Sequence, residues 1–359
     1  MQVSQETEYK TMFRVMDDEG RIIGKKEPQL SKSKLEKMYS HMVTSRLADE
    51  KSLKLQRQGR LGTFAQSLGH EACQVGPAFA LEKNDWFFPY FRDLGAYITL
   101  GLPLELYFIY WMGNEIGMSI PPELNIFPIA VPVASQLPHA VGAAMASKIK
   151  GDKCVFLVTF GDGATSEGDF HEALNFAGVF KTPTVFICFN NQYAISLPRE
   201  KQTASETLAE KAEAYGFSGR LVDGNDVLAM YASTKKAMEI ARKGGGPSMI
   251  EAFTYRLSNH TTSDDATKYR SKEETEVWEK RDPILRFKKY LQNKRIWSEQ
   301  FEERIKRKAD KKIEEAIIQA EAFPPPKVED LFKYTYKEMP SHLKEQMDEL
   351  RIFLKENKK

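Results

Sequence analysis

Near the middle of the chain, apolar residues gather into two short, nearly continuous runs, at residues 153–160 and 184–189. Such runs suit strands buried on both faces of a parallel sheet, although a short apolar run alone also fits a buried helix. Between them Phe170, Ala173, Leu174 and Ala177 recur at helical spacing. Ser166, followed three residues later by Asp169, is a capping-box-like start, and Lys181-Thr182-Pro183 ends the helix. The segment therefore reads as strand, helix, strand.

The same reading organises the rest of the chain. Residues 1–30 are expected to be an extended arm with a hairpin at Asp17-Asp18-Glu19-Gly20. Residues 31–58 are helical, with Leu35, Met38, Tyr39, Met42, Leu47, Leu53 and Leu55 forming apolar faces until Gly59 and Gly62 break them. Residues 68–81 predict another helix, 86–91 an aromatic strand or loop, and 103–111 a helix starting at its proline. Residues 113–133 are Pro-rich and irregular, a long loop on the ligand side, and 136–150 form a small-residue helix. Downstream, helices over 205–215 and 227–242 flank a strand and turn at 220–226. A strand at 248–255 leads into a polar loop at 259–271. Charged helices over 273–290 and 300–322, then three prolines, precede a last helix near 341–355. There is no internal repeat. The organisation is an arm (1–40), an α/β domain (41–295) and a helical C-terminal extension (296–359).

In the central unit the glycines at 161 and 163 allow backbone to approach a ligand closely. Parallel strands joined by a right-handed crossover put their carboxyl ends on one sheet edge, where open α/β sheets bind ligands. Asp162 and Asn191 each directly follow a predicted strand, so they meet there. One carboxylate, one amide oxygen and one backbone carbonyl would leave Mg²⁺ room for two diphosphate oxygens and a water. A helix N-terminus near Ser166 would add backbone amides for the same anion.

Composition narrows the field. The chain has 359 residues and a formal net charge of +2, with its basic residues spread out, so it carries no nucleic-acid footprint. No apolar stretch approaches the roughly 20 residues that span a bilayer. The N-terminus has no signal-peptide core and is too acidic for a transit peptide. Cys73, Cys154 and Cys188 lack metal spacing, and two of them fall in the predicted strands, which suits free thiols in a reducing cytoplasm. GDGATSEG lacks the GxGxxG spacing of a dinucleotide-binding dehydrogenase.

Taken together, these motifs are more specific than the Asp–Asn pair. Gln56-Arg57-Gln58-Gly59-Arg60, Phe91-Arg92, Leu104-Glu105-Leu106, SQLPHAVG, GDGATSEGDFHEALNFA, NNQYAIS, VDGNDV, EAFTYRLSNHTTSDD and WEKRDPI span most of the chain. This set resembles the alpha subunit of the decarboxylating component of 2-oxo acid dehydrogenase complexes. It resembles the branched-chain (2-oxoisovalerate) enzymes most, while the pyruvate and acetoin enzymes share the frame. The resemblance implies a thiamine-diphosphate-binding fold and oxidative decarboxylation of a 2-oxo acid, with acyl transfer to lipoamide on a transacylase. It also implies a heterotetramer of two alpha and two beta subunits, the beta subunit supplying the carboxylate that activates the cofactor. A non-catalytic subunit that keeps the fold is the alternative of another class, and intact Asp162, Asn191 and His260 argue against it.

By the same resemblance Asp162, Asn191 and the Tyr193 carbonyl bind Mg²⁺. Tyr90, Phe91, Arg92, Val131, Val133, Gly161, Gly163, Ala164, Asn191, Ile195 and His260 contact thiamine diphosphate. Arg92 reaches the diphosphate, Val133 is the apolar wedge that bends the cofactor, and His260 is the catalytic histidine, titrating near physiological pH. The chain departs from the family at several points. Phe189 replaces an arginine of the animal branched-chain enzyme, and Phe91 replaces a tyrosine. Residues 114–125 differ from the family's Met-Pro-x-His segment, and Thr261 stands where animal enzymes carry a regulatory serine.

Overall fold

In the computed structural model, residues 12–24 and 27–357 are described. Seven strands form among them: β1 (Trp86–Phe88), β2 (Phe156–Gly161), β3 (Thr184–Asn190), β4 (Tyr193–Ala194), β5 (Leu197–Pro198), β6 (Gly219–Asp223) and β7 (Ser248–Phe253). Five make one parallel sheet in the order β1-β2-β3-β7-β6. The two-residue β4 and β5 pair as a separate antiparallel hairpin. The principal helices are α1 (Lys32–Arg57), α2 (Glu71–Ala78), α3 (Leu94–Leu100), α4 (Leu104–Trp111), α5 (Gln136–Lys150), α6 (Gly168–Phe180), α7 (Val227–Arg242), α8 (Lys272–Glu279), α9 (Pro283–Asn293), α10 (Glu299–Glu321) and α11 (Ser341–Glu356).

Alternation along the strands serves two cores, so the sheet is covered on both faces as its unbroken apolar runs require. Leu157, Val185, Ile187, Phe189, Val222, Ile250 and Ala252 share one core with α1, α2, α7, α9 and α10. Phe156, Val158, Phe160, Phe186, Cys188 and Met249 share the other with α5 and α6. The segment at Phe13 bridges Val222 in parallel along the outer edge of β6, which covers strand groups that would otherwise stay unpaired. The hairpin expected at residues 17–20 forms, Met16 bridging Ile22 and Gly20 donating its amide to the Asp17 carbonyl (3.0 Å). The first 11 residues of the expected arm lie outside the described residues.

The α/β architecture expected from the sequence is the one observed, but local signals were overridden at several places. The capping box at Ser166 does not form. Residues Asp162–Ser166 make a 3₁₀ turn, and α6 begins at Gly168 behind Glu167, whose side chain makes no capping bond. Cys154 precedes β2 and is half-buried, whereas Cys188 lies within β3. The helix expected over 68–81 is confined to α2, and that over 205–215 is only a 3₁₀ segment at Ala209–Tyr215. The charged helix over 273–290 is two helices. Pro283 has no amide to continue the first, and Asp282 caps the second by accepting from Ile284 and Leu285.

Despite its charge, α10 buries Phe301, Ile305, Ala309, Ile313, Ala316, Ile317 and Ala320 along one stripe. By contrast α11 buries none of its residues. Among the described residues no helix is long and apolar enough to cross a membrane.

Candidate active site

The carboxyl ends of β2, β3 and β7 converge, as the crossover argument requires, on a cleft of about 200 Å³. Its lining includes Asp162 after β2, Asn191 and Tyr193 after β3, and Arg256 and His260 after β7. Tyr90, Phe91 and Arg92 enter from the segment after β1, and Pro132, Val133 and Ala134 from the Pro-rich loop. That loop is tied to the sheet through parallel bridges of Ile126 to Phe87 and Ala130 to Tyr90. Of the residues predicted for the site, Val131 alone does not line the cleft; it is an exposed neighbour.

The polar centre brings a buried carboxylate, an amide oxygen and two guanidiniums into one cleft. Asp162 is buried, and one of its carboxylate oxygens has no partner. Burial pushes its carboxyl up to about 6, because the charged form has lost its water. The Asn191 side-chain oxygen accepts the Tyr193 amide at 3.3 Å. The Tyr193 carbonyl accepts from Arg256 Nη1 at 3.3 Å, and a carbonyl has a second lone pair to share. Among the described residues no cluster of three or more His, Cys, Asp or Glu side chains is placed to hold a metal. The oxygens that could take a hard cation are those of Asp162, Asn191 and Tyr193, and a cation there would need its remaining ligands from a phosphate and water.

At Gly163 the backbone passes close to the next loop, since an added Cβ would lie 3.1 Å from the Ala194 Cβ. The next loop is strained. Ile195, a β-branched residue, sits at φ 58°, a conformation costing about 1–3 kcal/mol. Arg256 holds it there by donating to the Ile195 carbonyl at 2.6 Å.

Two guanidiniums face the cleft. Arg92 is buried and donates to the Gln66 carbonyl and to the His260 carbonyl, the latter at 2.9 Å. Burial, then the neighbouring Arg256, lower its pKa to about 10. The second, Arg256, also donates to the Tyr269 hydroxyl at 2.8 Å. Arg92 Nη2 and Arg256 Nη1 each lie 3.4 Å from His260 Nδ1. Two guanidiniums, one buried carboxylate and the exposed Glu167 at the rim line the cleft, so positive charge is concentrated in its interior, where an anionic ligand would meet it.

His260 differs from the sequence expectation of titration near neutrality. Burial first, then Arg92 and Arg256, push it down to about 3, so the imidazole is neutral. Its loop is fixed from behind: Asp264 accepts the His260 amide at 2.7 Å, and Arg270 donates to the backbone carbonyls of Arg256, Leu257 and Ser258.

The family departures have physical counterparts. Phe189 is fully buried with its ring 5.7 Å from Tyr90, so it cannot reach a phosphate. Phe91 packs edge-on against His260 at 6.1 Å. The buried Tyr90 hydroxyl has no hydrogen-bond partner and lines the cleft. Sequence reasoning missed Arg256, Gln136 and Glu167 as lining residues. For Arg256 a signal existed, because it follows the third strand end as Asp162 and Asn191 follow the first two.

Comparison with known proteins agrees with this geometry. A family model described as "Dehydrogenase E1 component" matches residues 39–329. A protein of Acholeplasma laidlawii named pyruvate dehydrogenase E1 component subunit alpha is 46% identical, the match covering 94% of this chain and 99% of that protein. Proteins of the same name from Bacillus subtilis and Staphylococcus aureus are 42% and 41% identical, each over 94% of this chain and 91% and 92% of theirs. The relatives carry the pyruvate name, which fits the alternative raised by the sequence better than the branched-chain reading. With most of its length matched and its strand ends gathered on one charged cleft, the chain belongs to the dehydrogenase E1 component family.

Proposed function

We propose that this chain is the alpha subunit of a thiamine-diphosphate- and Mg²⁺-dependent 2-oxo acid dehydrogenase whose substrate is pyruvate. The observation that carries this reading is the cleft itself, where an unpartnered buried carboxylate oxygen faces two guanidiniums. That donor set suits a diphosphate bridged to a divalent cation. The names of relatives matched nearly end to end support the choice of pyruvate over 2-oxoisovalerate.

In this reading Asp162, Asn191 and the Tyr193 carbonyl hold Mg²⁺. Arg92 and Arg256 hold the diphosphate, so Arg256 takes the place left by Phe189. Tyr90 adds a hydroxyl, and Gly163 and Ala164 add backbone. The bound cofactor supplies the nucleophilic carbon and electron sink that decarboxylation requires. Val133 and Ile195 line the cleft while remaining 49% and 57% exposed. Apolar side chains at an open mouth suit a second chain closing over it, here a beta subunit. His260, neutral and held by both arginines, offers its ring for proton exchange during acyl transfer to the lipoyl domain.

With a beta subunit and a lipoyl acceptor, kcat/KM for pyruvate is expected to exceed that for 2-oxoisovalerate at least tenfold. The reverse order would restore the branched-chain reading. The isolated chain is expected to show no turnover with either acid, and robust decarboxylation by it alone would overturn the shared-site reading.

A further inference from the structure

His70 occupies the N-cap position of α2, yet its side chain makes no capping bond. Histidine ranks below Ser, Thr, Asp and Asn at that position. The ring instead turns inward, fully buried, and Nε2 lies 3.2 Å from the Asn191 side-chain nitrogen. The other ring nitrogen, Nδ1, lies 3.3 Å from the Ser67 carbonyl.

These two contacts fix a proton and then an amide. A carbonyl can only accept, so Nδ1 carries the hydrogen and Nε2 of the neutral ring presents a lone pair. The Asn191 group facing that lone pair must be a donor, which makes it the NH₂. The Asn191 oxygen is thereby turned the other way, where it accepts the Tyr193 amide at 3.3 Å. A primary amide rotated by half a turn would offer a cation its NH₂, which cannot ligate. The backbone around His70 is itself anchored. Gly69 donates its amide to Glu71 at 3.1 Å and accepts from the Thr254 hydroxyl at 3.3 Å.

We infer that His70 is a positioning residue, which sets the orientation of the Asn191 amide so that its oxygen faces the cation site. The inference rests on the proposed role of Asn191 as a cation ligand. Outer partners that orient a ligand typically contribute about 10–100-fold in metal affinity.

The test measures Mn²⁺ affinity of the assembled complex by electron paramagnetic resonance, without turnover. His70→Leu is expected to weaken Mn²⁺ at least tenfold, and His70→Gln, whose carbonyl can accept from Asn191, to stay within threefold of the native complex. In an Asn191→Asp background the carboxylate has two equivalent oxygens, so adding His70→Leu is expected to change affinity by no more than twofold. Native-like affinity for His70→Leu, or a loss in His70→Gln as large as in His70→Leu, would overturn the inference. If His70→Leu fails to fold, His70→Met, which also offers Asn191 no nitrogen lone pair, takes its place in both comparisons. Asn191→Ala separates the layers: unchanged Mn²⁺ affinity there removes the ligand reading itself, whereas a loss there with a silent His70→Leu removes only the role of His70.

Discussion

Asp162→Ala is expected to weaken cation-dependent binding of thiamine diphosphate to the assembled complex by about 100-fold or more. Loss of an outer partner alone typically costs about 10–100-fold, and Asp162 is the one carboxylate in the proposed ligand set. A smaller change, Asp162→Asn, separates ligation from folding. Burial raises the Asp162 carboxyl to about 6, above the roughly 4 of an unfolded aspartate. The folded chain therefore prefers the protonated form. The stability this group contributes is fully present below about pH 4 and is lost as pH rises through about 6. At pH 7.5, without a cation, the ionised carboxylate costs on the order of 2–3 kcal/mol. Asp162→Asn removes that cost along with the ligand's negative charge. In chelator at pH 7.5 the Asn variant should melt above the native protein, and at pH 4 the two should coincide. Isothermal titration with Mg²⁺ and cofactor, together with melting at the two pH values, checks both halves. Retained cofactor affinity in Asp162→Ala would remove the central claim about the site, and a lower melting temperature for Asp162→Asn at pH 7.5 would show that the carboxylate is not isolated.

The position of the cleft was legible in the sequence because strand ends and a parallel crossover fix it. Apolar runs ending at Phe160 and Phe189 mark the strand ends to within a residue, and a parallel crossover leaves the residues after them little freedom in where they go. Asp162, Asn191 and the neighbourhood of Tyr193 were legible for that reason. Arg256 follows β7 by the same logic, but a single arginine between a strand and a loop carries no spacing of its own to mark it. His70 was hidden further, because its partner Asn191 is remote in sequence and it sits in what read as continuous helix. The misjudged elements share a cause. Ser166 carries the right residue type for a cap, but the 3₁₀ turn at Asp162–Ser166 keeps it outside the helix, where it accepts from Gln202 at 3.0 Å instead. The titration of His260 was out of reach as well, since its environment depends on two arginines that arrive from different strands.

His260→Ala is expected to lower kcat for reductive acylation by about 10²–10⁴-fold, the usual range for a positioned proton-transfer group, while cofactor affinity changes only a few-fold. The geometry gives this a spectroscopic signature. Both guanidiniums point at Nδ1, so that nitrogen presents its lone pair and the ring hydrogen lies on Nε2. Without cofactor the ring is neutral, pushed down to about 3 by burial and by the two cations. A diphosphate held by Arg92 and Arg256 would offset their charge and relieve the part of the penalty on an imidazolium that comes from the two cations, while burial remains. The pKa of His260 should therefore rise when thiamine diphosphate and Mg²⁺ bind, moving this ring toward the range in which histidine exchanges protons near neutral pH. Nuclear magnetic resonance of the histidine-labelled alpha chain in the complex, assigned through His260→Ala, reads the change directly. A ring that stays neutral above pH 5 in both states would limit His260 to hydrogen bonding. Equal loss of cofactor affinity and acylation in His260→Ala would make it part of the scaffold that holds Arg92. A cofactor-dependent rise accompanied by a selective loss of acylation would instead tie the occupancy of the diphosphate site to the charge of the residue that handles protons, so that the chain becomes competent for transfer only when loaded.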